Sequence, residues 1–166
     1  DSDTEDNGFI KINAVRAGLI KAFINRKARI NGDKEEITMT LNPENTNPAY
    51  LCGRLFAVLE KIQLEATDVK LNRTIKDAYF SSASSRPALI MPRLIDLSNY
   101  HLRKLKEGRA IYFSKLINEI MGKIKDSLPT NLSIMEKGEF QLGYFQQNKD
   151  FFAEQNKNEE PETVNE

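Results

Sequence analysis

The chain has 166 residues, and its 24 Lys and Arg balance its 24 Asp and Glu to a formal charge of zero. The charges are segregated. Four acids lie in the first eight residues and five in the last thirteen, the latter against one Lys, so residues 9–153 keep 23 bases and 15 acids, a net of +8. A body of that length suits one domain with a real core, and no run of about 18 apolar residues offers a membrane span. No basic-then-apolar stretch opens the chain, and Cys52 stands alone, which excludes internal disulfides and thiolate metal clusters and leads us to expect a cytoplasmic protein. The chain also opens without Met, as a fragment or processed product would.

The organisation expected is a helical domain over residues 9–153 between two acidic tails, residues 1–8 and 154–166, each polar enough to be disordered. The first helix is predicted from about Phe9 to Ile30, with Ile12, Val15, Leu19, Phe23 and Ile30 on one stripe. A turn at Asn31-Gly32-Asp33 precedes a short alternating stretch from Ile37 to Leu41 that is extended at most. The run from Asn42 to Pro48 is a strong breaker in which Asn47 suits an N-cap and Pro48 the first helical position. The second helix carries Leu51, Leu55, Val58, Leu59 and Ile62, and Gly53 and Ala57, four apart, would let a neighbouring helix come close.

A short third helix is predicted from about Arg73 to Ala83, ended by the serine-rich run 81–85. The fourth starts at Pro87, tolerates Pro92 near its beginning, and sets Ile90, Leu94, Leu97, His101 and Leu105 along one inward seam. Gly108 breaks the chain, after which a fifth helix turns Phe113, Leu116, Ile117, Ile120 and Ile124 inward until Leu128-Pro129. Ser133 and Glu136 have the spacing of a capping box, so a sixth helix begins there and runs through Phe152. Its apolar residues lie on more than one face, the pattern of a central, buried helix. The fold class expected is therefore all-α, a bundle of five or six helices.

A search for catalytic chemistry returns little. His101 is the only histidine, with no second His or Cys at ligand spacing for a metal. Seated between Leu97 and Leu105, it reads as a core-edge residue. The serines at 81, 82, 84 and 85 lack Ser-x-x-Lys or Gly-x-Ser-x-Gly contexts and read as a helix-ending linker. The glycines are scattered singly, so no phosphate loop forms. The expectation is a protein without catalytic residues, cofactor or metal.

The bases are more informative. From Lys11 to Arg29 there are six and no acid. Further bases recur on faces read as outward: Arg54 and Lys61, Arg73 and Lys76, Arg86 and Arg93, then Arg103, Lys104 and Lys106. Unbalanced positive helix faces attract a polyanion. Tyr79 and Phe80 beside Lys76 could stack on unpaired bases, although aromatics in short helices more often belong to the core.

Several strings carry a family resemblance: Asn42 to Leu51, Gly53 to Gln63, Leu71 to Asp77, Ser82 to Pro87, His101 to Leu105 and Gly138 to Gln147. In order and spacing, from about Val15 to Phe152, they resemble the C-terminal region of the large subunit of the type I-C CRISPR effector complex (Cascade), a region also made separately as its small subunit. Two positions depart from the pattern, Arg86 where a small residue is usual and Gln146 where relatives often carry His. The resemblance implies a helical bundle of the CRISPR small-subunit type that holds DNA backbone non-specifically and stabilises the R-loop while guide RNA invades the duplex. In such systems base pairing reads the sequence and protein grips backbones. Implied partners are the backbone subunits, the large subunit, further small-subunit copies and a target or non-target DNA strand, with guide RNA as a further contact. Cleavage would belong to a separately recruited helicase-nuclease. The residues expected at phosphates are Arg26, Lys27, Arg29, Arg54, Lys61, Arg73, Lys76 and Arg93. The rival readings are a pure protein-interaction module and a hydrolase using His101 or the serine run.

Overall fold

Three asparagines prepare the first described helix. The Oδ1 atoms of Asn42, Asn45 and Asn47 accept from the backbone N–H two residues on, at 3.0, 2.9 and 2.9 Å, so successive Asx turns lead the chain into α1 (Pro48–Glu65). Asn47 also accepts from Tyr50 N at 3.2 Å, and Pro48 occupies the position where a missing N–H costs nothing. The structure is a computed structural model that describes Ala22, Arg26 and residues 40–67, 73–125 and 127–159, the last five as backbone only. The chain divides into two units, residues 1–39 and 40–166. Of the first unit, Ala22 and Arg26 are helical and exposed. The expected stripe from Ile12 to Ile30, the stretch from Ile37 to Met39 and the tail 1–8 otherwise lie outside the described residues.

Four more helices complete the second unit: α2 (Ile75–Ala83), α3 (Pro87–Leu102), α4 (Glu107–Lys123) and α5 (Ile134–Glu159), with no strand among the described residues. The fold is all-α, as expected. Two starts are fixed by reciprocal caps. Thr74 Oγ1 accepts from Asp77 N at 3.2 Å while Asp77 Oδ2 accepts from Thr74 N at 3.0 Å. Ser133 and Glu136 do the same at 3.3 and 2.8 Å. The serine run ends α2, with Ser84 Oγ donating to Ser81 O at 3.1 Å. The following linker is tied to the α4–α5 loop through Leu132 N to Ser85 O at 2.9 Å and Ala88 N to Pro129 O at 3.0 Å.

The central element is α1, not the last helix. Thirteen of its eighteen residues are buried, because apart from Arg54 it is apolar all round from Ala49 to Leu59 and α3, α4 and α5 all pack on it. Its most extensive partner is α5, which offers one face, Glu139, Phe140, Leu142, Gly143, Gln146, Gln147 and Phe151, while Ile134 and Phe152 stay exposed. The helices touch backbone to backbone. A Cβ on Gly53 would collide with the Phe140 carbonyl, and one on Gly143 with the Tyr50 carbonyl. α5 also runs on to Glu159, so residues 154–159 extend the helix beyond Phe152.

Two further expectations are corrected. Gly108 lies in the first turn of α4, and the break falls earlier, at residues 103–106. The buried seam of α3 is Pro87, Met91, Leu94 and Ser98, whereas Leu97 is 43% exposed, so the helix is rotated from the expected seam. In α4, Phe113 and Ile120 are buried and Leu116, Ile117 and Ile124 half-buried, in line with the predicted inward face.

Candidate nucleic-acid interface

The eight expected phosphate contacts fall into separate places. Arg26 is an exposed helical residue of the first unit, and Lys27 and Arg29 lie outside the described residues. Arg54 is the residue whose expected outward face does not hold. It is 2% exposed, its Nε donates to Gln147 Oε1 at 3.0 Å, and its Nη1 is buried without a hydrogen-bond partner. A helix apolar all round carries its one arginine into the core. Lys61 is half-buried and lies 3.6 Å from Glu65, whose carboxylate also takes Nε and Nη2 of Arg109 at 3.0 and 2.6 Å. That bidentate bond holds the Arg109 guanidinium above its ordinary pKa. Positive charge at Lys61 is thus partly neutralised inside the molecule.

Arg73 and Lys76 stand three residues apart at the start of α2, and Arg93 reaches α2 from α3. Arg73 is exposed just ahead of the Thr74 cap. Lys76 Nζ sits 4.9 Å from the Tyr144 ring centroid, and the Arg93 guanidinium 5.9 Å from that of Tyr79, one turn along α2 from Lys76. Of the two aromatics, Phe80 belongs to the core, with ring centroids 5.5 Å from Phe56, 5.6 Å from Phe140 and 5.0 Å from Tyr144. Tyr79 is half-buried, packed against the core edge and accompanied by Arg93.

Four further bases noted in the sequence, Arg86, Arg103, Lys104 and Lys106, lie with Arg93 along α3, from its N-cap to the turn after it. Arg86, Arg93, Arg103, Lys104 and Lys106 are exposed, and none of them has a carboxylate within ion-pair distance among the described residues. Arg86 is the N-cap residue of α3, contributing no side-chain cap bond. Tyr100, 60% exposed with Lys104 Nζ 4.4 Å from its ring centroid, is a surface aromatic that the sequence pattern alone does not single out. The signal that could have found it is its register with Arg93 and Lys104, at spacings of seven and four.

His101 is half-buried, with its ring 5.6 Å from Tyr100 and Nδ1 buried without a partner. Burial, then the nearby Lys104, lowers its pKa. Cys52 is fully buried, which pushes its thiol up to about 12. Gln146, the departure from the expected His, is buried and accepts from Tyr50 OH at 2.5 Å across the α1–α5 contact. Among the described residues no three His, Cys, Asp or Glu side chains gather to hold a metal ion, and no helix is long and apolar enough to cross a membrane.

The described residues thus form an all-α unit in which several exposed bases have no carboxylate partner. Comparison with protein-family models matches residues 2–152 to the family described as CRISPR-associated protein (Cas_Csd1). The match covers most of the chain, and the chain belongs to that family. Comparison with curated proteins gave no match. Membership agrees with the resemblance carried by the strings from Asn42 to Gln147, and it points to action alongside other CRISPR components.

Proposed function

We propose that the chain is a non-catalytic component of an RNA-guided type I-C CRISPR surveillance complex, where it holds DNA backbone without sequence preference and stabilises the R-loop. The observation that carries this reading is the set of exposed bases ahead of α2, on α3 and in the α3–α4 turn that have no carboxylate partner among the described residues: Arg73, Arg86, Arg93, Arg103, Lys104 and Lys106. Phosphates are the partners such residues lack. Family membership supplies the setting, in which pairing reads sequence and protein supports strands. Partners in this reading are the other complex subunits and one DNA strand. Arg54 contributes to folding, and the exposed bases contribute to binding.

The test is DNA capture by the assembled complex across a salt series, comparing the native chain with Arg73→Glu, Arg93→Glu and Arg103→Glu combined. The expected result is weaker capture and a shallower salt dependence, by about 0.7 in log–log slope for each phosphate of a single strand left without its cation. Unchanged affinity at every salt concentration refutes it. The alternative, a pure protein-interaction module, is favoured by exposed apolar residues at Leu89, Ile134 and Phe152. It predicts that subunit assembly fails in the triple variant while DNA still crosslinks elsewhere in the complex.

A further inference from the structure

The outward stripe of α3, continued by its N-cap residue and the turn after it, mixes cations with apolar side chains. Arg86, Leu89, Arg93, Leu97, Tyr100 and Lys104 follow one another at spacings of three or four, and all six are exposed. At about 1.5 Å per residue the row is roughly 27 Å long. Leu89 stands between Arg86 and Arg93, and Leu97 and Tyr100 between Arg93 and Lys104, so cations interrupt the apolar area instead of leaving the contiguous patch a protein interface prefers. Arg103 and Lys106 add positive charge at its end, where Asp96 and Glu107 are the nearby exposed acids, neither of them paired with the stripe.

Tyr100 is the distinctive member. A tyrosine ring 60% exposed at the tip of a basic helix end leaves apolar area in water that the core does not use. Lys104, in the turn after α3, lies over it at 4.4 Å and His101 meets it edge-on at 5.6 Å, so the ring is braced by its sequence neighbours while most of it faces solvent. A braced aromatic among unpaired cations is the combination that recognises unpaired nucleotides, the ring taking a base face and the cations the flanking phosphates. In a duplex the base faces are already stacked, so only the cations find partners.

We infer that the α3 stripe is a binding surface for an unpaired nucleic-acid strand, with Tyr100 as its base-stacking residue and Arg86, Arg93 and Lys104 as its phosphate contacts. The surface thereby prefers single strands to duplex. This rests on the proposed DNA-holding role and adds the strand's state and the stacking residue to it.

The test uses the full chain and three fluorescent probes of equal length: a single-stranded DNA oligonucleotide, the same backbone with abasic sites throughout, and a blunt duplex. The native chain should bind the base-bearing single strand most tightly. Tyr100→Ala should lose between about 5- and 100-fold on that probe, leave the abasic probe unchanged and keep the salt slope, while Tyr100→Phe restores binding. Lys104→Glu should instead weaken the single-stranded and abasic probes and flatten the salt slope. Thermal melts of the Tyr100 variants should match the native chain, since the residue is exposed. If Tyr100→Ala binds the base-bearing strand as tightly as the native chain, this inference falls while salt-dependent binding leaves the backbone-holding role standing. Absence of salt-dependent binding to every probe overturns both. Normal DNA binding by Tyr100→Ala with failed assembly onto partner subunits marks a protein-docking face and overturns the inference.

Discussion

Arg54 donates Nε to Gln147 Oε1 at 3.0 Å inside the α1–α5 contact, with Nη1 buried beside it and unpartnered. A buried cation with an incomplete set of acceptors contributes little net stability, yet its removal leaves both a cavity and an orphaned amide oxygen. Arg54→Ala should therefore cost about 2–4 kcal/mol in denaturant unfolding. Arg54→Met fills the space without a charge but still orphans the Gln147 oxygen, so it should cost less than Arg54→Ala, about 1–2 kcal/mol. Neither substitution should alter the salt slope of DNA binding. A flattened slope in folded Arg54→Met would return Arg54 to the phosphate contacts.

Gly53 and Gly143 let α1 and α5 approach until backbone meets backbone, each glycine seated over a carbonyl of the other helix. A methyl group at either site has no flexible side chain to push aside, only main chain. Gly53→Ala or Gly143→Ala should cost about 3 kcal/mol or more, lowering the melting temperature by roughly 6–12 °C for a chain of this size. Gly122 provides the control, because a Cβ there meets nothing within 4 Å. Gly122→Ala should raise stability by about 0.5–1 kcal/mol through helix propensity alone. Equal effects at Gly53 and Gly122 would refute the close crossing.

Local punctuation was legible in the sequence, and helix rotation was not. Asn47 with Pro48, the serine run and the Ser133–Glu136 box each mark a boundary because a backbone donor or acceptor needs a partner there. The closeness allowed by Gly53 was readable too, though its counterpart Gly143 carries no comparable signal. By contrast, α3 carries Leu89, Ile90, Met91, Leu94, Ile95 and Leu97, which cover most of its circumference. A one-residue shift turns the helix by about 100°, and only packing on α1 decides that Met91 goes in and Leu97 out. For the same reason the outward Tyr100 is hidden in the sequence, since it lies next to His101 on a face that reads as the flank of a core seam. Arg54 misleads for a different reason: charge usually marks the wet side of a helix, but α1 has no wet side from Ala49 to Glu60.

His101 should make stability depend on pH. Burial and then Lys104 disfavour its charged form in the folded chain, so its folded pKa lies below the unfolded value of about 6.5. The unfolded state then binds the extra proton more readily, and acidification through that range favours unfolding. Above about pH 7 the imidazole is neutral in both states and contributes nothing to the slope. The native chain should therefore lose melting temperature relative to His101→Gln as pH falls from 7 to 5, with the difference levelling off once the folded state also protonates. A difference that stays constant, or moves in favour of the native chain on acidification, would overturn the assignment.

Cys52 reports on the same packing from the centre of α1. It is 0% exposed, and burial alone pushes its thiol up to about 12, against about 8.5 for a free cysteine. Since the thiolate is the nucleophile, alkylation at pH 8 is hindered twice, by access and by protonation. The native chain should resist iodoacetamide at pH 8, whereas the chain in denaturant should take up one equivalent at the rate of an ordinary thiol. Under native conditions the residual rate then measures opening of the helix that α3, α4 and α5 all pack against. Gly53→Ala and Arg54→Ala should accelerate it in step with their losses of stability, and Tyr100→Ala, at the surface of α3, should leave it unchanged. Rapid stoichiometric labelling of the folded native chain would mean that α1 is not the closed centre of the bundle.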